Sequence, residues 1–98
     1  MPELTDLIYL DIDSKKLRAI RKSKGISQKW IVEQLKIGKA SYSAYECGES
    51  RPPFQTVERL CEILDISISD ISDMASIAKA LDAIQRVGKL YGLEVKAA

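Results

Sequence analysis

The chain has 98 residues, of which 46% are hydrophobic and 30% charged, and its formal net charge is +1. This composition fits one small globular domain with at most an appended element, and it argues against a disordered chain. The acidic N-terminus is broken by charges and does not look like a secretory signal, and no apolar run reaches the ~18 residues of a transmembrane helix. We therefore expect a cytoplasmic protein with no membrane partner.

The inventory of reactive side chains is small. The sequence contains no histidine and only two cysteines, Cys47 and Cys61. These counts exclude the usual zinc patterns, histidine general bases and serine–histidine catalysts, and neither a paired-carboxylate site nor a phosphate loop is evident. We expect no enzymatic activity and no metal or other cofactor. Both cysteines are interpreted as small semi-buried residues without a disulfide.

Charge is distributed unevenly along the chain. Residues 14–51 carry ten basic and three acidic side chains, whereas residues 1–13 and residues 52–73 each carry a net charge of −4. A basic stretch of this kind is typical of a nucleic-acid-binding surface, and a solvated lysine-rich helix face is the alternative. Charge alone leaves both interpretations open.

Capping residues predict a series of short helices. Ser14 is expected to cap a first helix that ends near Ser23, and Ser27 is expected to cap a second. Gly38 then opens a third helix, which Gly48 closes. Only three residues separate the second helix from the third, a spacing that suits a helix-turn-helix crossing but also occurs in purely structural helical hairpins.

Two further helices are predicted after a break in the chain. Pro52 and Pro53 interrupt the backbone before a fourth helix that ends near Leu64. Ser67 then starts a fifth helix, with Asp70 as its capping-box partner. Residues 14–73 therefore predict a bundle of five short helices.

The third helix, residues 39–47, has a face of small side chains. Tyr42 and Tyr45 are expected to point inward. The opposite side carries Ala40, Ser43, Ala44 and Cys47. Because an idle surface helix usually carries charge, this small face indicates close approach to another molecule.

Residues 74–98 contain an amphipathic sixth helix. Its apolar side chains recur at helical spacing and comprise Met74, Ile77, Leu81, Ile84 and Tyr91. This stripe needs a surface to pack on, either the chain's own domain or a second subunit. We favour dimerisation, through Ile77, Leu81, Ile84 and Tyr91.

A set of family marks runs in register through residues 17–71. The marks are Gly25-Ile26-Ser27-Gln28, Leu35, Ile37, Ser41, Ser43, Tyr45-Glu46-x-Gly48, Pro52, Thr56, Leu60, Leu64, Ser67 and Ile71. With them, this stretch resembles the Cro/repressor-type (XRE-like) helix-turn-helix family. The resemblance implies an all-α, five-helix repressor-like domain over residues 14–73, with residues 1–13 as an N-terminal extension and residues 74–98 as an added C-terminal helix.

The resemblance also implies a function, which is sequence-specific binding of double-stranded DNA for transcriptional control, usually as a homodimer and here as a repressor. The third helix would lie in the major groove. The positions that match base-reading side chains are Lys39, Ala40, Ser43 and Ala44. The positions that match DNA-backbone contacts are Ser27, Gln28, Ser41 and Arg51. Arg21 and Glu46 occupy the places of a buried ion pair that ties the first helix to the third.

Four positions depart from the family pattern, and they are Lys36, Gly38, Asp65 and Glu49. Lys36 and Asp65 stand where glycine is usual, Gly38 replaces a serine or threonine cap, and Glu49 puts negative charge near the expected DNA backbone. The first three affect stability, whereas Glu49 weakens the expected DNA binding.

Two other functions stay open for the same fold. One is an antitoxin that represses its own toxin–antitoxin operon, and the other is a protein-interaction module that does not bind DNA. A protein partner would then contact residues 1–13 or residues 74–98. We expect residues 1–13 to cover Trp30, which faces outward on the second helix, although a subunit contact or stacking on DNA are alternatives.

Overall fold

A computed structural model of the chain describes residues 8–90, and over this range the fold is all-α, as predicted. The five α helices are α1 (Ser14–Ser23), α2 (Gln28–Leu35), α3 (Lys39–Cys47), α4 (Phe54–Leu64) and α5 (Met74–Leu90). A short 3-10 helix, Ile68–Asp70, lies between α4 and α5. None of the helices in residues 8–90 combines the length and the hydropathy that a bilayer crossing requires.

Local capping determines where α1 and α2 begin. Asp13 caps α1, because its Oδ1 accepts a hydrogen bond from the backbone N–H of Lys16 at 3.1 Å. The prediction of Ser14 as this cap was therefore wrong by one residue, and the reason is that a carboxylate is an equally favoured cap and also suits the positive end of the helix dipole. Ser27 caps α2 as predicted, since its Oγ accepts from the N–H of Trp30 at 3.1 Å.

The fifth predicted helix is reduced to a single 3-10 turn. Ser67 and Asp70 do form the predicted capping box, in which the N–H of Ser67 donates to Oδ2 of Asp70 at 2.8 Å. Asp73 then accepts from the N–H of Ser76 at 2.7 Å at the start of α5. Because α5 begins at Met74, the 3-10 helix Ile68–Asp70 has no room to extend into a longer helix.

A single hydrophobic core joins all the helices of the described range. Its buried members are Leu10, Leu17, Ile31, Leu35, Tyr42, Phe54, Val57, Leu60, Cys61, Leu64, Ile71, Ala80 and Ile84. Full burial of a side chain such as leucine stabilises the fold by about 1.5–3 kcal/mol. Because Leu10 precedes α1 and Ala80 and Ile84 belong to α5, both flanking elements pack on the central helices.

The predicted dimerisation stripe of α5 is only partly available to a partner. Ile84 is 4% exposed in the chain's own core, so its assignment to a dimer surface was wrong. The buried side of α5 consists of Ala80, Ile84 and Gly88, so it shares only Ile84 with the predicted stripe. Leu81 stays 47% exposed and Ile77 is half-buried. Tyr91 lies outside the described residues.

Residues 8–13 form an extended segment, which we call the strap, that joins two distant parts of the chain. Near one end the N–H of Leu10 donates to the carbonyl of Pro52 at 3.0 Å. At the other end the N–H of Asp13 donates to the carbonyl of Ile71 at 2.6 Å. The strap therefore ties the loop before α4 to the segment before α5.

Trp30 on α2 is not covered in the way that the sequence suggested. Its side chain is 41% exposed. The strap follows the loop before α4 instead, because its backbone pairs there with Pro52 and Phe54. Residues 1–7, the rest of the extension that was predicted to cover Trp30, lie outside the described residues.

Candidate nucleic-acid interface

The turn between α2 and α3 consists of Lys36, Ile37 and Gly38. Lys36 adopts a left-handed conformation, with φ 55° and ψ 44°, and its N–H donates to the carbonyl of Val32. A residue with a Cβ in this conformation costs about 1–2 kcal/mol, as expected from the replacement of a glycine here. Gly38 caps α3 in an extended conformation without a side-chain hydrogen bond. The turn is therefore tight but not optimised for stability.

Helix α3 has a buried side and an accessible side. Tyr42 is fully buried, and its ring meets that of Tyr45 edge-on with a centroid distance of 6.5 Å. On the other side lie Lys39, Ala40 and Ser41, which are exposed, and Ser43 and Ala44, which are half-buried. The face of small side chains therefore lies at the surface of the described structure, and it is most accessible in the first turn of the helix.

A buried ion pair lies beneath this surface. Nε of Arg21 in α1 donates to Oε2 of Glu46 in α3 at 2.6 Å, and its Nη2 donates to Oε1 at 3.0 Å. The two side chains are 9% and 2% exposed. Nη1 of Arg21 also donates to the carbonyl of Ile26 at 2.8 Å. The structure thus brings Arg21 and Glu46 together, and the pair sets α3 against both α1 and the start of α2.

The ionisation of this cluster follows from burial and pairing. Burial alone raises the pKa of Glu46, but the hydrogen bonds that its carboxylate accepts outweigh burial and hold the pKa below its usual value. The hydrogen bond to Glu46 raises the pKa of Arg21. The hydroxyl of Tyr42 lies beside this carboxylate but forms no well-formed hydrogen bond with any described residue. Burial raises the pKa of the Tyr42 hydroxyl. At neutral pH the carboxylate is therefore ionised and the phenol is neutral.

Gln28, which was predicted to contact the DNA backbone, connects the ion pair to α3's accessible side. Its Nε2 donates to Oε1 of Glu46 at 3.1 Å, and its Oε1 accepts from the hydroxyl of Ser43 at 3.2 Å. One N–H of the Gln28 amide therefore points to neither partner. The hydroxyl of the neighbouring Ser27 can also donate its hydrogen, because the cap of α2 uses only its oxygen as an acceptor. The start of α2 thus offers donors that suit an anion such as a phosphate.

Arg51 lies in the loop between α3 and α4, next to the strap. Its Nη1 is 3.6 Å from Oδ1 of Asp11, and the two side chains are 64% and 65% exposed. A pair this exposed stabilises by at most about 1 kcal/mol, so that a phosphate can replace Asp11. Glu49 is exposed in the same loop and lowers its positive charge.

Sequence reasoning missed two contacts of this surface. The contact of Asp11 with Arg51 depends on the path of the strap, for which the sequence contains no local signal. The hydrogen bond between Gln28 and Ser43 depends on the crossing of α2 and α3. The alternating apolar residues Ile8, Leu10 and Ile12 were the one available hint that the strap is extended.

Comparison with known protein families identifies the fold. A family model described as a helix-turn-helix domain matches residues 14–81. The chain belongs to the helix-turn-helix family. The family predicted from the sequence is thereby confirmed, and the match extends through the 3-10 helix into α5.

Two curated relatives of this helix-turn-helix protein illustrate the sequence similarity. It is 34% identical over 55 residues to the uncharacterized HTH-type transcriptional regulator YqaE of Bacillus subtilis. The matched region covers 56% of this chain and 47% of that protein. It is 31% identical over 58 residues to the cryptic phage CTXphi transcriptional repressor RstR of Vibrio cholerae. Here the matched region covers 59% of this chain and 52% of that protein. The helix-turn-helix protein therefore spans about half the length of the curated relatives that it matches.

Two solved structures share the fold. The clp gene regulator ClgR from C. glutamicum superposes with a TM-score of 0.53 at 18% identity, covering 89% of this chain and 95% of that one. A transcriptional regulator from Listeria innocua superposes with a TM-score of 0.57 at 20% identity, covering 86% and 98%. At these identities the likeness concerns the fold alone.

Proposed function

We propose that this helix-turn-helix protein is a cytoplasmic transcriptional repressor that binds double-stranded DNA sequence-specifically, with α3 in the major groove. The observation that carries this proposal is the accessible row of small side chains on α3, with the exposed Lys39 in its first turn. A major groove about 12 Å wide admits an α helix, and short side chains allow the helix to approach the base edges. Repression is supported by the name of the RstR relative, which is called a repressor.

In this complex four side chains of α3 read the bases. Lys39 is exposed in the first turn and donates to the acceptors of guanine or to a nearby phosphate. Ala40 and Ala44 offer methyl groups, which match the methyl group of thymine. Ser43 forms a hydrogen bond with a base. Ala40 is exposed and Ala44 is half-buried, so we expect Ala40 to approach a base more closely.

The DNA backbone is held from both sides of α3. Ser27 and Gln28 donate to one phosphate from the start of α2, where the helix dipole favours an anion. Ser41 and Arg51, which are both exposed, also contact the DNA backbone, and Arg51 leaves Asp11 to do so. These contacts fix the register of α3 without reading sequence.

One copy of the helix-turn-helix surface is expected to discriminate weakly. Only Lys39 and Ser43 of the base-reading set form hydrogen bonds with bases, which corresponds to about 2–4 kcal/mol of discrimination per half-site. Glu49 weakens attraction to the backbone further. Useful affinity therefore requires a homodimer that reads two half-sites.

We assign the dimer contact to the exposed edge of α5. Leu81 and Met74 are 47% and 71% exposed and lie two helical turns apart on one side of the helix. Leu81→Asp should convert a dimer to a monomer in sedimentation velocity, whereas Ala75→Asp, which adds the same charge elsewhere on α5, should not. A wild-type chain that sediments as a monomer at the concentrations used for DNA binding would refute the dimer.

DNA binding itself is tested by selecting duplexes from a random pool with the wild-type chain. The selected duplex should lose affinity steeply with salt, with a slope of about 0.9 per phosphate neutralised. Lys39→Ala should change the preferred sequence, whereas Lys79→Ala on α5 removes the same charge and should leave the preference unchanged. If no duplex binds even at low salt, the protein-interaction module replaces this proposal.

A further inference from the structure

A row of hydrogen bonds connects the buried ion pair to the hydroxyl of Ser43 and fixes the direction of each bond in turn. The first member is Glu46, whose carboxylate accepts two hydrogen bonds from Arg21 at 2.6 and 3.0 Å. Because its pKa is held below the usual value, this carboxylate is ionised at neutral pH and can only accept. Whatever faces it must therefore donate.

The orientation of the Gln28 amide follows from that requirement. Oε1 of Glu46 lies 3.1 Å from the Gln28 amide, so the amide must present its N–H here. The reverse orientation would place a carbonyl oxygen against a carboxylate oxygen in a partly buried site. Oε1 of Gln28 is thereby directed to Ser43, at 3.2 Å.

The amide oxygen in turn decides what Ser43 does. A carbonyl oxygen has no hydrogen, so the single hydroxyl hydrogen of Ser43 must point to Gln28. A free serine hydroxyl donates or accepts and therefore fits either kind of base pair. In this chain the donor is already committed inside the protein, and only the lone pairs of Ser43 remain for a ligand.

We infer that Ser43 reads DNA as a hydrogen-bond acceptor and selects a base with an exocyclic amine in the major groove, namely adenine through N6 or cytosine through N4. Guanine and thymine present only acceptors at the corresponding atoms, O6 and N7 or O4, and would face the lone pairs of Ser43. This inference rests on the proposed function, because it requires α3 to lie in the major groove. It assigns to the row from Arg21 to Ser43 the role of positioning a specificity-determining hydroxyl.

The first test compares the duplexes selected by the wild-type chain with those selected by Ser43→Ala. The variant removes one oxygen atom from a half-buried position, and an unchanged melting temperature shows that it folds. It should lose the preference at one base pair per half-site. Because every base pair contains either adenine or cytosine, the contacted amine is then identified with base analogues at that pair. The matched variant Ser41→Ala, at a proposed backbone contact, should bind every sequence more weakly and keep the ranking of bases.

The second test uses base analogues at that position of the selected duplex. Purine in place of adenine, or pyrimidin-2-one in place of cytosine, removes only the exocyclic amine. We expect wild-type affinity to fall about threefold to tenfold per half-site and the affinity of Ser43→Ala to stay the same. For an adenine, 7-deazaadenine removes the N7 acceptor instead and should leave the contribution of Ser43 intact.

Three results would overturn the inference. They are a loss of affinity on removal of the exocyclic amine that is as large in Ser43→Ala as in the wild type, a loss of affinity with 7-deazaadenine that depends on Ser43, and an unaltered base preference in Ser43→Ala. Each is obtained with a chain that does bind specific DNA. Failure of the proposed function is a different observation, because no duplex would then be selected by any variant.

Discussion

Removing Glu46 while keeping Arg21 should destabilise the fold severely. In Glu46→Leu the guanidinium keeps its bond to Ile26 but loses both bonds to the carboxylate, at 2.6 and 3.0 Å, in a site where its side chain is only 9% exposed. Breaking a buried pair by removing one partner costs about 3–5 kcal/mol. Because a small domain is stable by about 5–15 kcal/mol, this loss is a large part of the total.

The free energy of unfolding can be measured by urea titration. The sequence contains one tryptophan, Trp30, and its 41% exposure on α2 makes its fluorescence a probe of the helix-turn-helix. Far-UV circular dichroism provides an independent probe of the helices. In a thermal scan we expect Glu46→Leu to melt about 15 °C or more below the wild type.

Two variants separate the buried pair from charge in general. Asp82→Leu breaks the exposed pair with Arg86, 3.0 Å long with side chains 56% and 78% exposed, and should cost less than about 1 kcal/mol. The double variant Arg21→Met/Glu46→Leu should regain most of the stability lost in Glu46→Leu, since no unpaired charge is left buried. If Glu46→Leu were as mild as Asp82→Leu, the pair would not hold α3 against α1.

Three more outcomes are expected. Lys36→Gly should raise the free energy of unfolding by about 1 kcal/mol because φ is 55° at this position, and an unchanged urea midpoint would refute the strain. Between pH 7 and pH 3 the wild type should lose more stability than Arg21→Met/Glu46→Leu. The pKa of Glu46 is lower in the folded chain than in the unfolded chain, so the ionised carboxylate stabilises the fold at pH values above the unfolded pKa, and this contribution is lost as the pH falls and the folded carboxyl becomes protonated. Equal losses in the two proteins would contradict the lowered pKa. Asp11→Asn should raise DNA affinity about twofold to fivefold per half-site by releasing Arg51, as measured by fluorescence anisotropy against Asp82→Asn, and an equal rise in that control would show a mere charge effect.

The helices that the sequence predicted well are those whose ends depend on nearby residues. Ser27 caps α2 because its hydroxyl reaches the N–H of Trp30, three residues later, and Gly48 ends α3 in a left-handed conformation with φ 77°. Such signals are complete within one turn of chain. The short 3-10 helix was overestimated because the capping box at Ser67 marks a start and carries no information about length.

The contacts that could not be predicted join residues far apart in sequence. The strap pairs with Pro52 and Ile71 through backbone atoms, which every residue possesses, so no residue type identifies the partners. Helical spacing alone likewise placed Ile84 and Leu81 on one stripe, although the core takes up Ile84 and leaves Leu81 at the surface. The row from Arg21 through Glu46 and Gln28 to Ser43 required the geometry of three helices at once.

Entry of the small face of α3 into the major groove can be observed by NMR mapping of the labelled chain with its selected duplex. We expect the largest amide shift changes at residues 39–44 and at the start of α2, with smaller changes at Arg51. Intermolecular NOEs should connect the methyl group of Ala40 to base protons of the major groove. Changes confined to the strap and α5, with α3 unaffected by saturating DNA, would show that α3 does not enter the groove.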